Sequence, residues 1–283
     1  MSAELPTLAV TGSTGELGGR VARLLAATGV PQRLLVRDLS RAPEVGGGVP
    51  VAFTGYADRA SSVAALADVT TLFMVSASES ENRLEEHRAF VDAAAEAGVR
   101  HVVYTSFHGA AADSTFTLGR DHFHTEEHIR ASGVGWTFLR DNFYLDFLPE
   151  MAGEDGVIRG PAGAGLVAAV SRDDVAASAA AVLADPQRHV GMTYALTGPE
   201  ALSLATVAET LSLALDRRIS YHDETLEEAY ESRRKWPAPD WMYDAWVSTY
   251  TAIANGEVAE VTHHVLTLTG RTPTSLGELL ERR

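Results

Sequence analysis

Short apolar runs alternate with helix-periodic stretches through the first half of the chain. Thr7–Gly12, Arg33–Arg37, Val49–Phe53, Thr70–Ser76, His101–Ser106 and Trp136–Arg140 each read as a strand. Three longer segments carry a helical period: Glu16–Ala27, Ser80–Ala97 and Leu118–Ala131. In the first of these, Leu17, Val21, Leu24 and Leu25 fall on one face. Strands this uniformly apolar are buried on both sides, as in a parallel sheet covered by helices. Repeated βα units with right-handed crossovers predict an α/β chain with a doubly wound, Rossmann-type parallel sheet.

The second half is less regular. A short strand precedes an Ala-rich helix that starts near Ser171. Another strand leads through a Gly-Pro turn to a helix capped at Ser203. An aromatic-rich helix is expected from an N-cap at Asp240 to Ala254. We therefore expect a dinucleotide-binding part over residues 1–150 and a smaller α+β part over residues 151–283. No linker stands out at the boundary, placed at 145–155. The smaller part is expected to pack tightly on the first, cover the substrate, and return a strand and a helix to it.

Composition narrows the function. The chain has 283 residues and 46% hydrophobic content, ample for a large buried core. With 23 basic and 38 acidic residues the net charge is −15, and no Lys/Arg run is visible. Such a chain is a poor ligand for polyanionic DNA, so a small-molecule partner is expected rather than nucleic acid. The absence of cysteine excludes disulfides, thiolate metal ligands and a cysteine nucleophile. The N-terminus shows no secretory pattern, and no apolar run approaches the ~18 residues of a membrane span. The expectation is a cytoplasmic protein without a membrane partner; a homodimer stays open.

The chemistry starts at TGSTGELGGR, which follows the first strand directly and opens the first helix. Gly12, Gly15 and Gly18 form G-x-x-G-x-x-G. Gly12 permits a tight turn, Gly15 lets the backbone approach a pyrophosphate, and Gly18 lets the helix pack closely. The free N–H groups of the helix start then receive the anion. The expected cofactor-binding residues here are Gly12, Ser13, Thr14, Gly15, Glu16, Leu17 and Gly18. The ribose contact is expected about 20 residues beyond the last glycine, where Arg37 ends the second strand. A guanidinium suits a 2′-phosphate, with Arg41 nearby to add to it. NADPH is therefore expected over NADH. Asp38 complicates this, because its carboxylate would repel a phosphate if it pointed inward.

TGSTGELGG, LLVRDLSRA, the GYAD segment at Gly55–Asp58, AAAEAGVRHVVYTS, HFHTEEHIRASGVGWTFLRDNFY and AVSRDDVAASAA together resemble the NmrA-like branch of the atypical short-chain dehydrogenases. The resemblance runs from Thr7 to near the C-terminus. It implies a Rossmann domain with a small C-terminal substrate-covering part, and NADPH-dependent hydride transfer to a quinone-like or other conjugated acceptor. The family also contains regulators that bind a dinucleotide without turnover, and fold alone does not separate the two. The resemblance places the tips of the fourth and fifth strands at the nicotinamide end. It thereby adds Ser76, Ala77, Ser78, Thr105, Ser106 and, after the sixth strand, Asn142 to the cofactor-binding set. It implies substrate contacts from Phe107, Phe143 and Tyr144, although the last two serve equally well as packing residues.

DHFHTEEH (Asp121–His128) holds three histidines. His124 to His128 matches H-x-x-E-H, a zinc-protease spacing that puts both histidines on one helix face. A third ligand and a cleft would be needed, and the segment already belongs to the dehydrogenase resemblance, so no metal is expected. On a helix, His122, Thr125, Glu126 and Ile129 share one side, while His124 lies about 200° away from His122. His124 and His128 are thus expected on an outer, solvated face. The resemblance sets His122 where related reductases carry a catalytic lysine, and sets Leu118 at the tyrosine of the usual pair. His122 is the catalytic candidate, as a hydrogen-bond or proton donor; a cofactor-orienting or structural histidine stays open. Without Tyr and Lys, an acceptor that yields a delocalised anion suits the chain better than a simple ketone. Lys235–Trp246 holds three of the four tryptophans. Trp241 is a candidate substrate contact there, as an aromatic lid or as a core or dimer stripe.

Overall fold

The computed structural model describes residues 5–282. The first half runs β1 (Leu8–Val10), α1 (Glu16–Ala27), β2 (Gln32–Val36), β3 (Gly48–Ala52), α2 (Arg59–Ala65), β4 (Thr71–Met74), α3 (Arg83–Glu96), β5 (His101–Phe107), α4 (Thr117–Ala131) and β6 (Gly135–Asp141). The second half adds β7 (Val157–Gly160), β8 (Leu166–Val167), α5 (Arg172–Ala184), β9 (Met192–Leu196), β10 (Leu202–Ser203), α6 (Leu204–Ala214), β11 (Ser220–Asp223), α7 (Leu226–Arg233), α8 (Asp240–Ala254), α9 (His264–Thr269) and α10 (Leu276–Glu281).

Seven strands form one sheet in the order β3-β2-β1-β4-β5-β6-β9. The ladders joining β3, β2, β1, β4 and β5 are all parallel. This is the doubly wound Rossmann arrangement expected from the strand pattern. Its direction reverses between β1 and β4, and ligands of such sheets bind outside the carboxyl ends of the strands at that point. β2, β4 and β5 are buried at every position, which accounts for their continuous apolar runs.

Two compact units are present, neither of them one stretch of chain. The first comprises residues 1–106, 121–140 and 175–194, and the second residues 107–120, 141–174 and 195–283. The core of the first is built on Leu35, Leu66, Leu72, Phe90, Tyr104, Ile129 and Phe138. The core of the second is built on Leu145, Ile158, Val167, Leu204, Leu211 and Ile253. The second unit also carries a parallel β7–β11 ladder and an antiparallel β8–β10 ladder.

Several local expectations shift. The pattern reading passed over α2, a seven-residue helix whose signal is Asp58: its carboxylate accepts from Ser61 N and caps the helix. α3 begins at Arg83 rather than Ser80, because residues 76–82 form an irregular turn. Leu24 of α1 is exposed. The buried stripe centres between Val21/Leu25 and Gly18/Ala22, so Leu24 falls past its edge. Asp240 is the first residue of α8, not its cap, and Pro239 occupies the capping position. Ser203 caps α6 as expected, accepting from Thr206 N. Among the described residues no helix is long and apolar enough to cross a membrane.

Candidate functional site

The glycine loop joins β1 to α1. Gly12 sits at φ +63°, the left-handed region that glycine tolerates. A Cβ on Gly18 would lie 2.3 Å from Gly12 O, so this glycine is demanded by the loop's own carbonyls. Gly15 is a weaker internal demand, with Gly12 O at 3.3 Å as its one near contact, and it occupies the N-cap of α1. Gly12, Thr14, Gly15 and Glu16 are exposed, whereas Leu17 and Gly18 are buried beneath them. Ser13 is 2% exposed, and its hydroxyl has no hydrogen-bond partner among the described residues. An exposed backbone turn at a helix N-terminus, with a buried unpaired hydroxyl, fits a pyrophosphate. Arg37 follows β2 and is exposed. Asp38 is occupied locally: it accepts from Ser40 N and Ser40 Oγ, which holds its carboxyl below the usual carboxylate range.

Beyond β4 the chain enters Val75–Ser78, and here side chains, not strands, hold the backbone. Val75 N donates to Thr11 Oγ1 (2.9 Å), and Val75 O accepts from the Tyr56 hydroxyl (2.5 Å). Ser76 N donates to Thr105 Oγ1 (2.8 Å). Ala77 N donates to His87 Nε2 (2.8 Å), and Ala77 O accepts from Arg83 Nε (3.0 Å). Thr105 therefore meets the turn through its hydroxyl. Ser106 is fully buried and donates to Glu126 instead (2.6 Å).

His122 lies in the polar layer under this turn and is 7% exposed. Its Nε2 is 3.0 Å from Arg83 Nη2, and its Nδ1 is 2.9 Å from the Tyr104 hydroxyl. A guanidinium only donates, so Nε2 is the acceptor and the ring proton sits on Nδ1, donated to Tyr104. The same logic fixes His87: Nε2 accepts from Ala77 N, so Nδ1 donates to Thr125 Oγ1 (2.9 Å). Thr125 in turn donates to Asp121 O (2.7 Å). Both histidines are thus neutral. Burial drives each ring well below the ordinary imidazole pKa, and the Arg83 charge adds to it. Burial likewise keeps the Tyr56 and Tyr104 hydroxyls protonated, well above the usual phenol value. Arg83 itself is 3% exposed; its Nη1 makes no hydrogen bond among the described residues but pairs with Asp121 Oδ2 at 3.5 Å.

His122, Thr125, Glu126 and Ile129 share the buried face of α4, as the helix period requires. Glu126 is fully buried and takes Arg140 through Nε (2.8 Å) and Nη2 (2.7 Å). The other two histidines are less solvated than expected. Both are half-buried: His128 Nε2 meets Asp92 Oδ1 of α3 at 2.8 Å, and His124 packs on its neighbour Phe123.

The remaining candidates belong to the second unit. Asn142 is buried, with Nδ2 donating to Val258 O (2.9 Å) and Oδ1 accepting from Phe143 N (2.8 Å). Phe107 and Phe143 form an aromatic trio with Phe116, ring centroids 4.9–5.3 Å apart, and join that unit's apolar core with Leu118. The Tyr144 hydroxyl donates to Asp141, and Arg172 covers its ring at 4.7 Å. Burial and the neighbouring carboxylate push the Tyr144 hydroxyl well above its ordinary pKa. Trp241 is half-buried on α8, and Trp246 lies against Trp236 and Tyr243.

Sequence reasoning did not single out Tyr56, Arg83, His87 or Tyr104. A signal existed for two of them. Arg83 and His87 continue the stripe of Phe90, Val91 and Ala94 on α3, so a cation and an imidazole stand in an otherwise apolar, core-facing row.

The chain matches the NmrA-like family over residues 5–242. It is 33% identical over 273 residues to an NAD(P)H azoreductase of Xenophilus azovorans, a match that covers 95% of each chain. Its fold superposes on an NADPH-dependent quinone oxidoreductase of Escherichia coli in complex with NADPH. That pair shares a TM-score of 0.89 and 29% identity over 97% of this chain and 99% of the other. The triphenylmethane reductase of Citrobacter sp. with NADP(H) superposes at a TM-score of 0.87, with 29% identity over 97% and 99% of the two chains.

Proposed function

Because the chain belongs to the NmrA-like family, we propose that it is an NADPH-dependent reductase of quinone-like or other conjugated acceptors, working without a Tyr-Lys acid/base pair. That it is an NAD(P)H-dependent oxidoreductase follows from relatives that span nearly its whole length. The finer reading is carried by one observation: both ring nitrogens of His122 are engaged by buried neighbours.

Ser13, Gly15 and the N–H groups at the start of α1 would hold the pyrophosphate. Arg37 would hold the 2′-phosphate, with Asp38 drawn to Ser40. The turn after β4 would lie along the nicotinamide half. Bound there, NADPH supplies two electrons as a hydride. The division near residue 150 into a cofactor part and a substrate-covering part belongs to this proposal.

Reduction of an isolated ketone leaves an alkoxide that needs a positioned acid. Leu118 offers none, and His122 is a neutral ring whose one proton is directed at Tyr104. A quinone that accepts hydride becomes a delocalised phenolate, which takes its proton from water to give the hydroquinone. A triarylmethyl cation that accepts hydride needs no proton. The chain's part is therefore orientation and electrostatics rather than proton transfer.

Oxidation of NADPH, followed at the dihydronicotinamide absorbance against quinones, cationic dyes and simple ketones, tests this. Turnover with the conjugated acceptors and none with ketones is expected. Tight NADPH binding without turnover on any acceptor would replace the enzyme with a dinucleotide sensor. Arg37→Ala is expected to raise KM for NADPH on the order of ten- to a hundredfold while leaving NADH nearly unchanged. Equal effects on the two would overturn the cofactor preference.

A further inference from the structure

We propose that Arg83, His87 and His122 are positioning residues that pre-form the turn after β4 in the absence of cofactor, and so set the nicotinamide half of the dinucleotide site. This rests on the reading of that turn as the nicotinamide side.

The turn has an unusual support. Over Val75–Ala77, five backbone groups are satisfied by side chains: Val75 N and O, Ser76 N, and Ala77 N and O. Those side chains come from Thr11 after β1, Tyr56 before α2, Thr105 on β5, and Arg83 and His87 on α3. A turn held only by its own backbone would be free to reorganise around a ligand; one held by five side-chain donors and acceptors from elsewhere in the fold is set before the ligand arrives.

Ala77 is the clamped point, with its N–H on His87 and its carbonyl on Arg83. Neither holder stands alone. Arg83 is kept in place through His122, and His122 through Tyr104. His87 is kept in place through Thr125, which is anchored on Asp121 O. The two ring protons and the Thr125 hydroxyl proton have mutually consistent positions, so the hydrogen bonds of the relay support one another. His122 thus acts on the turn through Arg83, in the place where a lysine would act on the cofactor directly. Arg83 cannot be traded for an apolar residue without removing the donor to Ala77 O and the donor to the buried His122 Nε2.

Two readouts test this without relying on turnover. In the protein without ligand, the Ser76 and Ala77 amides are expected to be protected from hydrogen exchange, and Arg83→Met to expose them on the order of tenfold or more. In calorimetric titrations, Arg83→Met is expected to weaken NADPH by about tenfold or more. Adenosine 2′,5′-bisphosphate, which carries only the adenosine half, should bind as in the wild type. Thr125→Val should show the same pattern more weakly, and Thr125→Ser should restore it; this pair carries the test if Arg83→Met does not fold. Fast exchange at Ser76 and Ala77 in the wild type would overturn the proposal. So would a folded Arg83→Met with undiminished NADPH affinity, or equal loss of both ligands. If the wild type protects the two amides but binds neither NADPH nor NADH, the cofactor reading fails and the pre-formed turn stands.

Discussion

His122 shows how far a residue's environment decides its chemistry. Its pattern position, on the buried face of α4, is legible from the 3.6-residue period alone. Its proton state is not, because that depends on Arg83 and Tyr104, which lie 39 and 18 residues away. The glycines divide in the same way. Gly18→Ala forces a Cβ against Gly12 O, so it is expected to destabilise the fold by about 1–3 kcal/mol and to lose cofactor binding. Gly15→Ala has more room inside the protein and is expected to lose cofactor affinity with little change in unfolding temperature. Paired thermal unfolding and NADPH titration separate the two, and equal unfolding temperatures would contradict the geometry. Glu126 is a third case. Glu126→Ala would strand the guanidinium of Arg140 at the edge of the core, and a loss of about 3–5 kcal/mol in denaturant unfolding is expected.

At the scale of elements, α3 and α4 meet through polar groups as well as apolar ones. Arg83 and His87 of α3 face His122 and Thr125 of α4, with Tyr104 of β5 between them and Tyr56 stacked on Phe90 at 4.2 Å. This contact makes stability depend on pH. Both histidines are neutral in the fold, with pKa values well below 6.5, so their contribution is complete above about pH 6.5. As pH falls below that, the unfolded chain takes up protons that the native state refuses, and stability drops by up to about 1.4 kcal/mol per pH unit for each ring. The neighbouring charges, Arg83 and Arg140, push in the same direction. Urea unfolding at pH 7.5, 6.5 and 5.5 should show this decline. His122→Gln, which keeps an acceptor for Arg83, should flatten it by one ring's share. An unchanged slope would mean that His122 takes up a proton in the native state.

At the scale of the whole molecule, the sheet order and two interleaved units give the frame. Ligand linkage is the natural probe of that frame. NADP+ at a hundredfold excess over its Kd should raise unfolding stability by about 2.7 kcal/mol, and NAD+ at the same concentration by less. A matching shift with NAD+ would count against Arg37 as the discriminating residue. The net charge of −15 acts at this scale too, as a long-range repulsion of other polyanions that says nothing about the fold.

By itself the sequence determined the alternation of strands and helices, the glycine loop and its place at the start of α1, the buried face of α4, and the family. All but the family rest on spacing within one segment, where periodicity and steric demand are local; the family rests on motifs spread along most of the chain. Tertiary structure decided which strands are neighbours, that Ser106 serves Glu126 while Thr105 serves the turn after β4, and that His122 is a neutral ring under Arg83. It also decided that α2 and the Arg83–His87 pair matter. Those outcomes depend on groups far apart in the chain, and a buried polar group is defined by the partner that meets it rather than by its own position in the sequence.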